Sequence, residues 1–179
     1  VLGHEALCRI DELGAGVDTD SAGRPVEAGD LVAPVYYRTC QRCAACARGE
    51  HYNCENSYSH KTKSLDEFPH FHGTYSTHYY IHSDQHFYKI PEVLKSNPGV
   101  AAAANCALSQ VMFGLDQVGV EYDEWVVIQG AGGLGLNAIA YAREQGAKTI
   151  VVEGRPERIE RARSFGADHV VDMREYDNI

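Results

Sequence analysis

The sequence predicts a two-part chain of class α/β plus β: a β-rich first part, then the opening half of a doubly wound parallel sheet. Three observations predict it. The first ~95 residues are rich in β-branched and aromatic types and broken by long polar stretches. From Pro98 onward, short apolar runs alternate with helix-period segments. Between the first such run and its helix lies Gly130-Ala131-Gly132-Gly133-Leu134-Gly135. The boundary is placed so that residues 1–98 form one domain and residues 99–179 the other.

Each element has a local reason. Residues 6–13 read as a strand that Gly14 and Gly16 end. Val26 to Asp30 is a turn, and residues 31–37 are a second strand leading into a cysteine-rich loop. Residues 55–72 are polar without a clear period, hence a long loop. From Gly73 to Ile90 the Thr, Tyr, His and Phe content favours strands, and Pro91 punctuates them. Val100 to Val118 reads as a helix. Residues 125–129 are an apolar strand ending in glycines, Leu134 to Gln145 a helix with Gly146 at its C-terminal end, and residues 149–153 the next strand. Pro156 to Phe165 is a helix closed by Gly166, and residues 169–172 a third strand. This order is a parallel βαβαβ unit.

Composition excludes several function classes. The 179 residues carry 16 Lys+Arg against 25 Asp+Glu, a net charge of −9 with His neutral. That balance argues against a nucleic-acid partner, which wants a basic face. No apolar run approaches the ~20 residues of a membrane helix. With 44% hydrophobic and 23% charged residues the chain is an ordinary globular one. It opens on Val1 with no signal-peptide pattern and stops soon after Val171, so it reads as an internal piece of a longer protein.

Of six cysteines, Cys40, Cys43, Cys46 and Cys54 fall in one C-x2-C-x2-C-x7-C series. A redox pair, an iron–sulfur cluster and a metal are the chemistries open to it. A redox pair leaves sulfurs over, and four thiolates at ~2.3 Å make a closed structural zinc site. The residues between them are mostly small or polar, as a metal-pinned loop requires.

The glycine series follows a strand and opens a helix, the context in which G-x-G-x-x-G binds a dinucleotide. Gly130 permits the turn, Gly132 lets the backbone approach a pyrophosphate at the helix N-terminus, and Gly135 allows close helix–strand packing. Gly133 and Leu134 complete the cradle. Eighteen residues after Gly135, Glu153 ends the second strand, where an acid accepts the adenosine ribose 2′-hydroxyl. NAD is favoured over NADP, with Arg155 and Arg158 as the groups that could instead meet a 2′-phosphate.

A four-cysteine loop, a β-rich stretch and then this α/β half resemble the zinc-dependent medium-chain alcohol dehydrogenases, over essentially the whole chain. Gly3-His4-Glu5 is similar to the family's Gly-His-Glu motif, and Asn105-Cys106-Ala107 lies where the family places its second catalytic-zinc cysteine. The resemblance implies a GroES-like β-barrel catalytic domain, truncated at its start, with a structural-zinc loop at 40–54, joined to half a Rossmann domain. It implies two zincs: one on His4 and Cys106 with Glu5 as a nearby carboxylate, the other on the four-cysteine loop. It implies an NAD-dependent oxidation of an alcohol, secondary or cyclic, or reduction of its carbonyl. A polyol or amino-alcohol dehydrogenase and a catalytically zinc-free reductase-like relative are the alternatives. The full-length protein is expected to be a cytoplasmic homo-oligomer acting on a small molecule, without nucleic-acid or membrane partners.

The pattern departs from the family in three places. The first catalytic cysteine lies upstream of residue 1, Cys8 stands where the motif has Gly, and the Rossmann half ends after its third strand. Cys8 is expected to face the core from its strand, on the same side as His4. His70, His72, His78, His82 and His86 are read as surface or pocket-lining groups. Tyr36 and Tyr37 are candidates to line a substrate pocket.

Overall fold

The computed structural model describes residues 2–59, 63–64 and 66–176. Parts of the expected 55–72 loop, and the chain ends at residue 1 and residues 177–179, lie outside the described residues. The chain forms two compact units, Val1–Cys106 and Ala107–Ile179.

In the first unit, strand β2 (Leu31–Pro34) is central, flanked antiparallel by β1 (Cys8–Arg9) and β3 (Phe87–Lys89). Cys8 pairs with Val32, and Val32 with Lys89. Val32 is fully buried, packed with Ile10 and Val26 and bordered by Cys8, Leu13, Ile81 and Phe87. Cys8 thus borders the core, and burial pushes its thiol up. The expected turn is closed at both ends: the Asp30 amide donates to Glu27 O at 3.2 Å, and the Glu27 amide to Asp30 Oδ2 at 3.0 Å.

All three expected strand regions are shorter than their composition predicts; the one over 31–37 stops at Pro34. The expected strand over 6–13 pairs only at Cys8–Arg9. One residue on, Ile10 already bonds into the turn, donating to Asp30 O and accepting from the Gly29 amide. The expected strands over 73–90 reduce to Phe87–Lys89. Before it, polar side chains take the main-chain groups locally: Ser76 Oγ donates to Gly73 O at 2.8 Å, and Gln85 Nε2 to Val35 O at 2.6 Å. Such bonds compete with a ladder. Asp20 ties the unit together. Its carboxylate accepts the amides of Ala22, Arg24 and Lys89 and the Arg24 guanidinium, all within 2.8–3.0 Å.

The expected helix from Val100 is broken by a π-helical turn. Helix α2 (Gly99–Ala103) passes into a π turn over Ala104–Leu108, and α3 (Ser109–Val118) resumes. Gly119, at φ 72°, ends it in the left-handed conformation that glycine adopts most easily.

In the second unit, β4 (Trp125–Gln129), β5 (Lys148–Glu153) and β6 (His169–Asp172) form a parallel sheet in that order. Helices α4 (Gly133–Glu144) and α5 (Pro156–Ser164) make the crossovers. Parallel strands need such crossovers, and the alternation of periods encodes them. Ile128, Ala131, Ile139, Val151 and Ala162 form the core. Pro156 opens α5, where its missing N–H has no helical partner to lose.

Candidate metal centres and dinucleotide loop

The four loop cysteines converge. Helix α1 (Ala44–Ala47) starts directly after Cys43 and carries Cys46 inward. Cys46 and Cys54 are buried, and the sulfurs of Cys40, Cys43, Cys46 and Cys54 all lie within 4.8 Å of one another. The Cys40 amide donates to Cys54 Sγ at 3.3 Å and the Cys43 amide to Cys40 Sγ at 3.4 Å. The amides of Arg42 and Cys43 hold the Cys40 thiol down at about 6, whereas burial beside the Cys43 thiol pushes Cys46 up to about 12. A set of crowded soft donors wants one cation to let every sulfur ionise. The residues fit a four-thiolate zinc.

A second group brings together His4, Glu5 and Cys106, their ligand atoms again within 4.8 Å of one another. His4 Nε2 is 3.2 Å from Cys106 Sγ across 102 positions of sequence. Both partners are braced. Gly3 has φ 81°, and its carbonyl accepts the Thr74 amide at 3.4 Å. The Tyr75 amide donates to Leu2 O at 3.2 Å, and Thr74 Oγ1 to Glu5 O at 3.3 Å. Cys106 sits in the π turn, whose Asn105 side-chain amide donates to Pro34 O at the end of β2. One imidazole, one thiolate and a nearby carboxylate fit a zinc that keeps a position open. Cys8 is outside this group.

Aromatic rings flank His4. Tyr36 lies edge-on to it at 5.3 Å between ring centres, Tyr37 edge-on to Tyr36 at 5.4 Å, and Tyr58 stacks on Tyr36 at 6.4 Å. Among the clustered histidines, His72 is not a surface group: it is 2% exposed and stacks on the His82 ring at 6.4 Å. His82 is held at about 4, first by burial and then by the charge of Arg38.

In the second unit Gly130 has φ 90°, and its amide donates to Val152 O at 2.8 Å, anchoring the loop to β5. Gly132 precedes α4 with no side-chain cap, and the Leu136 amide donates to Gly132 O at 2.9 Å. The uncapped first turn of a helix is an anion site in waiting. Glu153 is 7% exposed. Its Oε2 accepts the Ala131 amide at 2.9 Å, and its Oε1 accepts the amides of Gly154 at 2.8 Å and Arg155 at 3.0 Å. The Ala131 amide is the largest cause holding its carboxyl below the usual range. The Arg155 guanidinium turns to Glu157 at 2.7 Å, so this residue meets Glu153 through its backbone. Arg158 Nη1 stands 3.8 Å from Glu153 Oε2.

Sequence reasoning missed Thr74, Asn105 and Ala131 as supports. Thr74 and Asn105 act about 70 positions away from their partners, and Ala131 acts through its main-chain N–H, so none carries a side-chain signature.

Residues 1–92 match the family model of the alcohol dehydrogenase GroES-like domain, and residues 133–179 that of the zinc-binding dehydrogenase. The chain is 37% identical over 177 residues to the 5-exo-hydroxycamphor dehydrogenase of Pseudomonas putida, covering 97% of this chain and 47% of the relative. It is 32% identical over 180 residues to the L-threonine 3-dehydrogenase of Pyrococcus horikoshii, covering 99% and 46%. The crystal structure of an alcohol dehydrogenase from Thermotoga maritima superposes with a TM-score of 0.88 at 32% identity, covering 99% of this chain and 49% of that one. The chain therefore spans about half the length of the relatives it matches. No helix among the described residues is long and apolar enough to cross a membrane.

Proposed function

The chain belongs to the zinc-dependent medium-chain alcohol dehydrogenase family, and on that footing we propose that the whole protein transfers a hydride between an alcohol, secondary or cyclic, and NAD. The observation that carries the reading is the 3.2 Å approach of His4 Nε2 to Cys106 Sγ. A zinc bound there supplies Lewis-acid polarisation of the substrate oxygen. His4 contributes a neutral imidazole and Cys106 a thiolate, with Glu5 tuning the pair from beside it. Cys40, Cys43, Cys46 and Cys54 hold a second, structural zinc.

The α4 N-terminus, entered through Gly130, Gly132, Gly133, Leu134 and Gly135, receives the pyrophosphate. Glu153 accepts the ribose 2′-hydroxyl and disfavours a 2′-phosphate, which supports NAD over NADP. Arg155 contributes its backbone amide to the Glu153 carboxylate.

The substrate class rests on Tyr36. Its ring, backed by Tyr37 and Tyr58, gives the His4 side an aromatic wall suited to an apolar ring. A polyol or an amino alcohol wants polar partners instead. The relative from Pseudomonas putida is a hydroxycamphor dehydrogenase, which supports the same class. The reading takes the protein as a cytoplasmic homo-oligomer; six cysteines with no disulfide among the described residues suit a reducing compartment.

Zinc content of the purified protein tests the reading, measured beside Cys46→Ser and His4→Ala together with NAD reduction on a panel of cyclic, linear and polyhydric alcohols. Two zincs, one lost in each variant, and a preference for cyclic alcohols are expected. A single zinc, lost only in Cys46→Ser, would overturn it in favour of a reductase-like relative without catalytic zinc.

A further inference from the structure

We infer that Glu153 is a positioning residue for the dinucleotide loop in its own right, fixing the loop for a cofactor with or without a ribose 2′-hydroxyl. The inference rests on the dinucleotide reading of that loop and goes beyond the ribose contact.

The carboxylate is spoken for before any ligand arrives. Oε2 takes the Ala131 amide from the middle of the glycine loop, and Oε1 takes two amides at the start of the next loop. Glu153 ends β5, whereas Ala131 follows β4, so the side chain bridges the exits of two adjacent strands. The Gly130 amide on Val152 O joins the same two exits one residue earlier on each side. Ala131 is 1% exposed, so no water replaces a lost acceptor there without opening the loop. Its N–H therefore depends on Glu153.

The chemistry needs a carboxylate. An ionised one is acceptor-only on both oxygens, which is what three N–H groups on two oxygens demand. A carboxamide of the same shape accepts on one side and presents N–H against N–H on the other. The three amides, with Arg158 at 3.8 Å, also compensate the buried charge. About four lone-pair directions exist on a carboxylate, so three amides leave about one for a ribose hydroxyl. The residue thus serves loop and ligand together.

The test pairs two variants with two ligands. Glu153→Gln keeps the size and removes one acceptor. Glu153→Asp keeps the charge but shortens the reach, withdrawing from Ala131 first, and it stands in if the Gln variant fails to fold. Calorimetry of NAD and of its analogue lacking the adenosine 2′-hydroxyl is run on wild type and variants. Amide exchange at Ala131 is followed without ligand. Both variants are expected to weaken the 2′-deoxy analogue about tenfold or more and NAD at least as much, and to speed exchange at Ala131 about tenfold or more. If the variants weaken NAD and leave the 2′-deoxy analogue and the Ala131 exchange unchanged, Glu153 acts through the ribose alone. The inference then falls while the dinucleotide reading stands. If wild type binds neither ligand, the dinucleotide reading falls and takes the inference with it.

Discussion

The carbonyl oxygen of Gly130 occupies the space in which a β-carbon on residue 135 would have to sit. The first and last glycines of the loop are thus matched: one turns the chain and the other lets α4 begin against that turn. Gly135→Ala is expected to destabilise the second unit by about 3 kcal/mol, because the overlap is with backbone and cannot be relieved by a rotamer. Gly133→Ala, whose β-carbon meets nothing within 4 Å, is expected to change stability by less than about 0.5 kcal/mol. Urea unfolding of the two variants checks the contrast.

Gly3 raises a similar demand at the metal group. Its φ of 81° suits glycine, and a β-carbon there would press on the Tyr75 ring at 2.6 Å. Gly3→Ala is expected to displace His4 and lower the zinc content by one equivalent while the four-cysteine loop keeps its own. Metal analysis after gel filtration reads this directly, and retention of both zincs would show that the turn gives way without moving His4.

Asp20 makes stability depend on acid. Burial by itself would raise its carboxyl, but the amides of Lys89 and Arg24 and the Arg24 guanidinium outweigh burial and hold it at about 2, against an ordinary 3.8. A depressed carboxyl contributes stability above its unfolded value, and loses it as pH falls through the folded one. The first unit is expected to weaken between about pH 4 and pH 2. Asp20→Asn is expected to cost about 1–3 kcal/mol at pH 7 and to flatten that acid limb. Urea midpoints measured across this range test both.

Tyr36 is expected to act on selectivity. Tyr36→Ala should lower kcat/KM for a cyclic secondary alcohol by about tenfold relative to a short linear one. Equal losses on both would mean that the ring supports His4 without facing the substrate.

The legible parts of this fold were those with local causes. Strands β4, β5 and β6 and helices α4 and α5 follow from apolar runs punctuated by Gly130, Gly146, Pro156 and Gly166, and the structure holds them within a residue or two of their expected bounds. The four cysteines and the glycine series are equally local. Strands in the first unit were over-read, since Ser76 and Gln85 spend their side chains on nearby carbonyls and composition does not show it. The meeting of His4 with Cys106 has no local cause at all. It was legible only as an order of motifs shared with a family, and its braces, Thr74 and Asn105, were not legible even so.

The two candidate metal groups differ in the length of chain that each one closes. Closing a flexible loop becomes more costly as its length grows. The four thiols lie within fifteen residues, Cys40 to Cys54, and can be gathered by a metal while the rest of the chain is still searching. His4 and Cys106 are 102 positions apart, beyond the whole β1–β2–β3 pairing. Bringing them together closes a far longer stretch of chain, one that includes the β1–β2–β3 pairing. On the proposed assignment, the short-span group costs little to gather early and the long-span group depends on the rest of the fold, so the reactive position belongs to a chain that has already folded.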